Sequence, residues 1–231
     1  MKFGVVVFPG SNCDRDLMEA LQNTTGRQVV ELWHKDTDLK GCDMVFLPGG
    51  FSYGDYLRSG AIAKLSPIMG SIISFANKGG YVMGICNGFQ ILCESGLLPG
   101  ALLHNMSRKF ICKNVYIKPT GKSILTDGLN PDKPLKIPIA HGEGNYYADA
   151  DVLKEMQDEG RILFQYCDET GSVSPLANAN GSLLNIAGIT NKTRNVFGMM
   201  PHPERAASEI QHNTDGVQLF KNLLKIAQVA V

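Results

Sequence analysis

Residues 81–93 read Tyr-Val-Met-Gly-Ile-Cys-Asn-Gly-Phe-Gln-Ile-Leu-Cys. The first five are short, apolar and β-prone, while the run from residue 89 repeats large apolar side chains at helical spacing. Between them, Gly84-Ile85-Cys86-Asn87-Gly88 leaves the backbone little room to turn. A strand that enters a helix through so tight a bend needs small residues two before and two after its apex, and Gly84 and Gly88 supply them. The stretch predicts a strand, a cramped bend and a helix. Cys86 is then pushed out at the carboxyl end of a sheet, where open α/β folds bind ligands.

Outward from this bend, β-rich apolar runs alternate with helix-period segments. Strands are expected at 3–8, 29–33, 44–47 and 81–85, with a helix over 14–22 and another carrying Ile62, Leu65, Ile68, Met69, Ile72, Ile73 and Phe75. The second half is more strand-like, at 110–117, 137–140, 162–166, 184–189 and 196–200, before a final helix over 216–227. Such alternation predicts an α/β fold: three layers, a mostly parallel sheet, helices on both faces. No Pro-, Ser- or charge-rich linker and no internal repeat interrupts the chain, so one domain over 1–231 is expected.

The 231 residues carry 22 Lys+Arg against 22 Asp+Glu, a formal charge of zero. No whole-molecule field exists to collect nucleic acid or anionic lipid. A hydrophobic content of 44% with 19% charged residues excludes disordered and low-complexity classes. No apolar run reaches the ~18 residues that span a bilayer, and the start lacks a secretory layout, so a cytoplasmic protein is expected. Six cysteines, at 13, 42, 86, 93, 112 and 167, form no CxxC or CxxH pattern. No metal site is expected from them, and free thiols are.

At a helix N-terminus the peptide dipoles favour an anion, which makes Cys86 a candidate thiolate nucleophile. A nucleophile of this kind needs a proton shuttle and a group to orient it. His202 lies in Met199-Met200-Pro201-His202-Pro203-Glu204-Arg205, just after a predicted strand. Two prolines stiffen the segment, and in an extended chain Glu204 faces the same side as His202. Acyl transfer also needs N–H donors for a negative oxygen. Asn87 offers its backbone N–H, and the glycines of Pro48-Gly49-Gly50-Phe51 allow the second. A phosphate loop at 49–54 is disfavoured, because neither a Walker ending nor GxGxxG spacing is present. His34, His104 and His212 read as structural or surface residues, and Cys93 as core. Asp55 and Arg58 have two readings: contacts to a partner or to the oxyanion loop, or ordinary surface charges.

With these residues assembled, the chain resembles the class I (triad) glutamine amidotransferases, and among them the small glutaminase subunits of phosphoribosylformylglycinamidine synthase. The likeness runs through Phe-Pro-Gly-Ser-Asn-Cys-Asp at 8–14, the Gly-Phe-Ser-Tyr-Gly-Asp-Tyr stretch opening 50–61, the bend at 84–90, His-Gly-Glu-Gly at 141–144, and 199–205. It implies a flavodoxin-like fold, with Cys86, His202 and Glu204 as catalytic residues. Gly50 and Asn87 are implied as oxyanion donors, Gln90 as a substrate contact, and Gly142 and Glu143 as part of a loop gripping glutamine. The implied reaction releases ammonia from glutamine for a large ATP-dependent synthetase subunit in purine biosynthesis, with a small third subunit in the complex. No cofactor is implied for this chain; ATP and Mg are expected on the synthetase.

Overall fold

The computed structural model describes residues 1–226. In chain order the elements are β1 (Lys2–Val7), α1 (Asp14–Thr25), β2 (Gln28–Trp33), β3 (Met44–Leu47), α2 (Pro67–Asn77), β4 (Tyr81–Ile85), α3 (Asn87–Glu94), β5 (Ala101–Leu103), β6 (Ile111–Pro119), β7 (Leu135–His141), β8 (Asn145–Tyr147), α4 (Ala150–Asp158), β9 (Ile162–Cys167), β10 (Ile186–Thr190), β11 (Val196–Met199) and α5 (Val217–Leu223).

Nine strands form one sheet in the order β2-β1-β3-β4-β11-β10-β9-β6-β7, and β5 and β8 pair separately. The pairs from β2 to β11 are parallel, and those from β11 to β7 antiparallel. Only β10 and β6 therefore run against the other seven. All four residues of β3 and all four of β11 are buried, so both faces of the sheet's centre are covered, as a parallel sheet flanked by helices requires. On one side α1 packs against α5, while α3 contacts β3, β4 and β11.

Register brings the site together. Leu47 pairs with Gly84, and Ile85 pairs with Met199. The chain thus leaves β3, β4 and β11 side by side at their carboxyl ends, carrying Gly49-Gly50, Cys86 and 200–205. Strand β7 lies four places from β11, about 19 Å away in a flat sheet at ~4.8 Å per strand. Yet the His202 N–H donates to Pro138 O at 2.8 Å. The antiparallel flank must coil strongly, the usual consequence of strand twist, and this returns the end of β7 to the central loops.

Several expectations change. The helix expected from 62 to 75 is two pieces: a 3-10 turn, Ala63–Leu65, and α2. Ser66, extended at ψ 142°, separates them, because a residue before proline is excluded from the helical region and Pro67 then begins the next helix. The strand expected from 184 starts at Ile186, since Leu184 and Asn185 have positive φ. Strands β5 and β8, three residues each, are too short for a periodic signal, and α4 buries only Met156. The final helix is seen as α5; Ala227, in its predicted range, lies outside the described residues. Among the described residues no helix is long and apolar enough to cross a membrane.

Candidate active site

Cys86 joins β4 to α3 with φ 51° and ψ −106°. A non-glycine residue held there stores about 1–3 kcal/mol of strain, which its surroundings must enforce. They do so by crowding. A Cβ on Gly84 would meet the Gly88 carbonyl at 2.5 Å, and one on Gly88 would overlap the Leu47 carbonyl oxygen. The Cys86 N–H is bound to Met199 O at 2.8 Å. Its thiol, 4% exposed, reaches Ala140 O of β7 at 3.7 Å.

His202 and Glu204 are each 1% exposed, and His202 Nδ1 meets Glu204 Oε1 at 2.6 Å. The segment is not the extended chain expected from its prolines. Pro203–Arg205 forms a 3-10 turn, and this turn swings the carboxylate onto the ring. Glu204 fixes the proton on Nδ1. Burial opposes charge on the imidazole, but Glu204 overcomes it, and the Cys86 and Cys13 sulfurs are close enough to assist. His202 is held well above the usual histidine range. Among the described residues, His202 Nε2 and Glu204 Oε2 are buried with no hydrogen-bond partner.

Gly50 adopts φ 134°, where a side chain would strike Asn12 N at 2.6 Å, and it bridges Ser11 in antiparallel fashion. Asn87, the first residue of α3, has a backbone N–H with no acceptor within the helix. Its side chain has a role the sequence did not suggest. Oδ1 accepts from Ser52 N at 3.1 Å and from the Ser52 hydroxyl, while Nδ2 donates to Asp55 Oδ1 and Gln90 Oε1 at 3.2 and 2.9 Å. The 52–55 loop is thereby tied to the bend. Gln90 Nε2 donates to Glu143 O at 2.5 Å, and Glu143 Oε2 accepts from Ser59 N at 3.2 Å.

Five of the eight predicted residues, Gly50, Cys86, Gln90, Gly142 and Glu143, line one cavity of about 150 Å³, while Asn87, His202 and Glu204 lie behind its wall rather than in it. Asp55 also faces it. Burial first, and then the neighbouring Glu143 charge, push its carboxyl up to about 6 against hydrogen bonds from Ser59 and Asn87. Arg58 instead pairs with Glu94 on the surface through two bonds of 2.5 and 2.8 Å. A larger hollow of about 470 Å³ around Ala76, Arg161 and Lys192 contains no such cluster of reactive groups.

One histidine departs from expectation, and another gains a defined partner. His104, read as lying outside the site, lines the cavity and approaches Glu143 Oε1 at 3.4 Å. His141 is fixed from below: Asn105 Oδ1 accepts from both His141 Nδ1 and the Gly144 N–H, at 3.0 and 3.1 Å. Because Oδ1 is an acceptor for the amide, Nδ1 carries the imidazole proton. Burial, with His202 nearby, lowers its pKa to about 4. His34 bonds the Tyr53 hydroxyl at 2.6 Å and His212 ends an exposed turn, both as read. All six cysteines are unpaired.

Comparison with known proteins identifies the family. Residues 1–226 match the CobB/CobQ-like glutamine amidotransferase domain. The chain is 54% identical over 224 residues to phosphoribosylformylglycinamidine synthase subunit PurQ of Chlorobaculum parvum, covering 96% of this chain and 89% of that protein. It is 53% identical over 225 residues to the subunit of the same name from Moorella thermoacetica, with 97% and 95% covered. In the structure of PurLQS from Thermotoga maritima, a chain 42% identical superposes with a TM-score of 0.86, covering 98% of each. The chain therefore belongs to the CobB/CobQ-like glutamine amidotransferase domain family and, within it, to the PurQ subunits of phosphoribosylformylglycinamidine synthase.

Proposed function

We propose that this chain, as one glutamine amidotransferase domain, hydrolyses glutamine to glutamate and ammonia and delivers the ammonia to the large synthetase subunit of phosphoribosylformylglycinamidine synthase. The observation that carries the reading is the strained, buried Cys86 beside an imidazole whose Nδ1 is held by Glu204 at 2.6 Å.

The Cys86 sulfur attacks the side-chain carboxamide carbon of glutamine. A C–S bond forms, and the oxygen's negative charge is taken by the backbone N–H groups of Asn87 and Gly50, donors of a kind worth about 3 kcal/mol each. His202, kept protonated by Glu204, gives its proton to the nitrogen as the C–N bond breaks. Water then attacks the glutamyl thioester, its proton passes to His202, and glutamate leaves as the C–S bond breaks. The sum is glutamine plus water to glutamate plus ammonia. Gln90, Gly142 and Glu143 hold the amino-acid end of the substrate, with Glu143 suited to its ammonium group. ATP and Mg act on the synthetase, a small third subunit completes the assembly, and the complex works in the cytoplasm.

The test is incubation with 6-diazo-5-oxo-norleucine, a glutamine-shaped electrophile, in the presence of the synthetase subunit, followed by peptide mass mapping. Modification of Cys86 is expected. Labelling elsewhere, or none, would indicate a non-catalytic module that retains the bend without the chemistry.

A further inference from the structure

The stretch 8–14 shares the family's sequence pattern, yet it supplies no reacting group to the chemistry above. Two of its residues are buried, Phe8 at 1% and Cys13 at 2% exposed, and Cys13 is the one that carries a polar side-chain atom. Three separate contacts place this residue against the catalytic groups. Its peptide N–H donates to Gly49 O at 3.3 Å. Arg205 Nη2 donates to its sulfur at 3.1 Å, while Nε of the same guanidinium donates to Asp16 Oδ2 at 3.4 Å. The sulfur, a His202 ring nitrogen and a Glu204 carboxylate oxygen lie within 4.8 Å of one another.

Gly49 shows how closely the sulfur and imidazole are fitted. A Cβ there would meet His202 Cε1 at 2.6 Å and Cys13 Sγ at 3.2 Å, so the missing methyl is what lets both groups occupy that space. The thiol's own donor is used, toward Asn12 Oδ1 at 3.3 Å, which leaves sulfur lone pairs to accept from Arg205. That acceptance matters because Arg205 follows Glu204 directly. A guanidinium that loses one of its partners can turn to a neighbouring carboxylate, and its bidentate geometry makes it a strong competitor even with Asp16 still in place.

We propose that Cys13 is a positioning residue for the glutaminase reaction: its sulfur draws Arg205 away from Glu204 and closes the buried side of the His202–Glu204 pair, while its peptide N–H holds the Gly49-Gly50 turn. The inference rests on the reading of Cys86 as nucleophile and His202 as its shuttle. Cys13 is among the groups that favour charge on His202. Its loss therefore lowers the pH at which His202 gives up its proton, and the alkaline limb of kcat moves to lower pH.

The experiment measures glutamine-dependent ammonia release from the chain assembled with its synthetase partner, with kcat and KM followed from pH 6 to 10 for wild type, Cys13→Ala and Cys13→Ser. Synthesis from added ammonium salt reports assembly of each preparation. Partners that orient metal-ligating histidines are worth roughly 10–100-fold in activity, and a partner of a catalytic imidazole is expected to act on the same scale. For Cys13→Ala we expect kcat to fall at least tenfold, KM to stay within about twofold, and the alkaline limb to move down by about one pH unit. A serine hydroxyl still accepts from Arg205, so Cys13→Ser should lose only about threefold, with a smaller shift in the same direction. Alanine at wild-type kcat and limb would overturn the inference, as would equal losses for alanine and serine with an unmoved limb. If Cys13→Ala yields no assembled complex, serine decides: a limb below that of wild type supports the role, and an unchanged profile refutes it. A wild-type complex that is active with ammonium but releases no ammonia from glutamine would instead overturn the glutaminase reading on which the inference stands.

Discussion

The parallel and antiparallel halves of the sheet meet at Cys86, and they bring different things to it. From the parallel half, β3, β4 and β11 deliver groups whose identity the chemistry dictates: a thiol, an imidazole with its carboxylate, and glycines where no Cβ fits. From the antiparallel flank, the chain after β7 delivers mainly backbone. Ala140 O faces the thiol and Glu143 O accepts from Gln90. A buried amide network of Asn105, Asn180 and Ser182 holds that backbone, with Asn180 Nδ2 on Gly144 O at 2.7 Å. In the proposed function, the reacting groups are side chains on one side, and the groups that would grip substrate are largely main chain on the other. Mutations of the reacting side chains on the first side should act on kcat, those of its close-packed glycines on stability, and those on the second side on KM or on stability.

The largest effect should come from the first side. Glu204→Gln keeps the size of the side chain but loses the carboxylate that holds His202 protonated and in one tautomer. Glutamine-dependent kcat should fall about 10³–10⁴-fold with KM little changed, and an equal loss in the ammonium-dependent reaction would contradict the division of roles. Gly88→Ala drives a methyl into Leu47 O, which is backbone and cannot swing aside. Chemical denaturation should show a loss of roughly 3 kcal/mol or more.

On the flank, His141 is held at about 4 by burial, so between roughly pH 6.5 and 4 the unfolded chain binds the proton more readily than the folded one. Stability from this group is present above the unfolded value and lost as pH falls through that window, by up to roughly 3 kcal/mol. His141→Asn, which does not titrate, should flatten the decline measured between pH 7 and 5. Asp55 works in the opposite sense. Its folded value of about 6 lies above the ordinary 3.8, so its contribution is lost as pH rises through that interval. Asp55→Asn should gain about 1 kcal/mol at pH 8 and nothing at pH 3.5, allowing for partial exposure. An unchanged midpoint at pH 8 would mean that the carboxyl is not strained there.

The same contrast explains what the sequence revealed. Strands 44–47 and 81–85 match β3 and β4 to the residue, because fully buried parallel strands are uninterrupted apolar runs. Cys86, His202 and Glu204 stood out as candidates since few residue types can perform the proposed roles, and the structure puts Cys86 at the bend and pairs His202 with Glu204. Gly142 and Glu143 were inferred only from resemblance, as a backbone carbonyl leaves no mark on residue type. His104 looked bland because its partner, Glu143, is more than 35 positions away in the chain, and the tie of His141 to Asn105 was hidden by a similar separation. Cys13 was hidden for the same reason: Arg205, which bonds its sulfur, is 192 residues distant.

The most direct measurement replaces Cys86 with alanine in the chain assembled with its synthetase subunit and compares two nitrogen sources. Synthesis driven by glutamine should disappear, while synthesis from ammonium salts should continue at the wild-type rate. Substantial glutamine-driven synthesis without the thiol, or loss of both reactions in a complex that still assembles, would contradict the assignment of Cys86 as the nucleophile of an ammonia-supplying subunit.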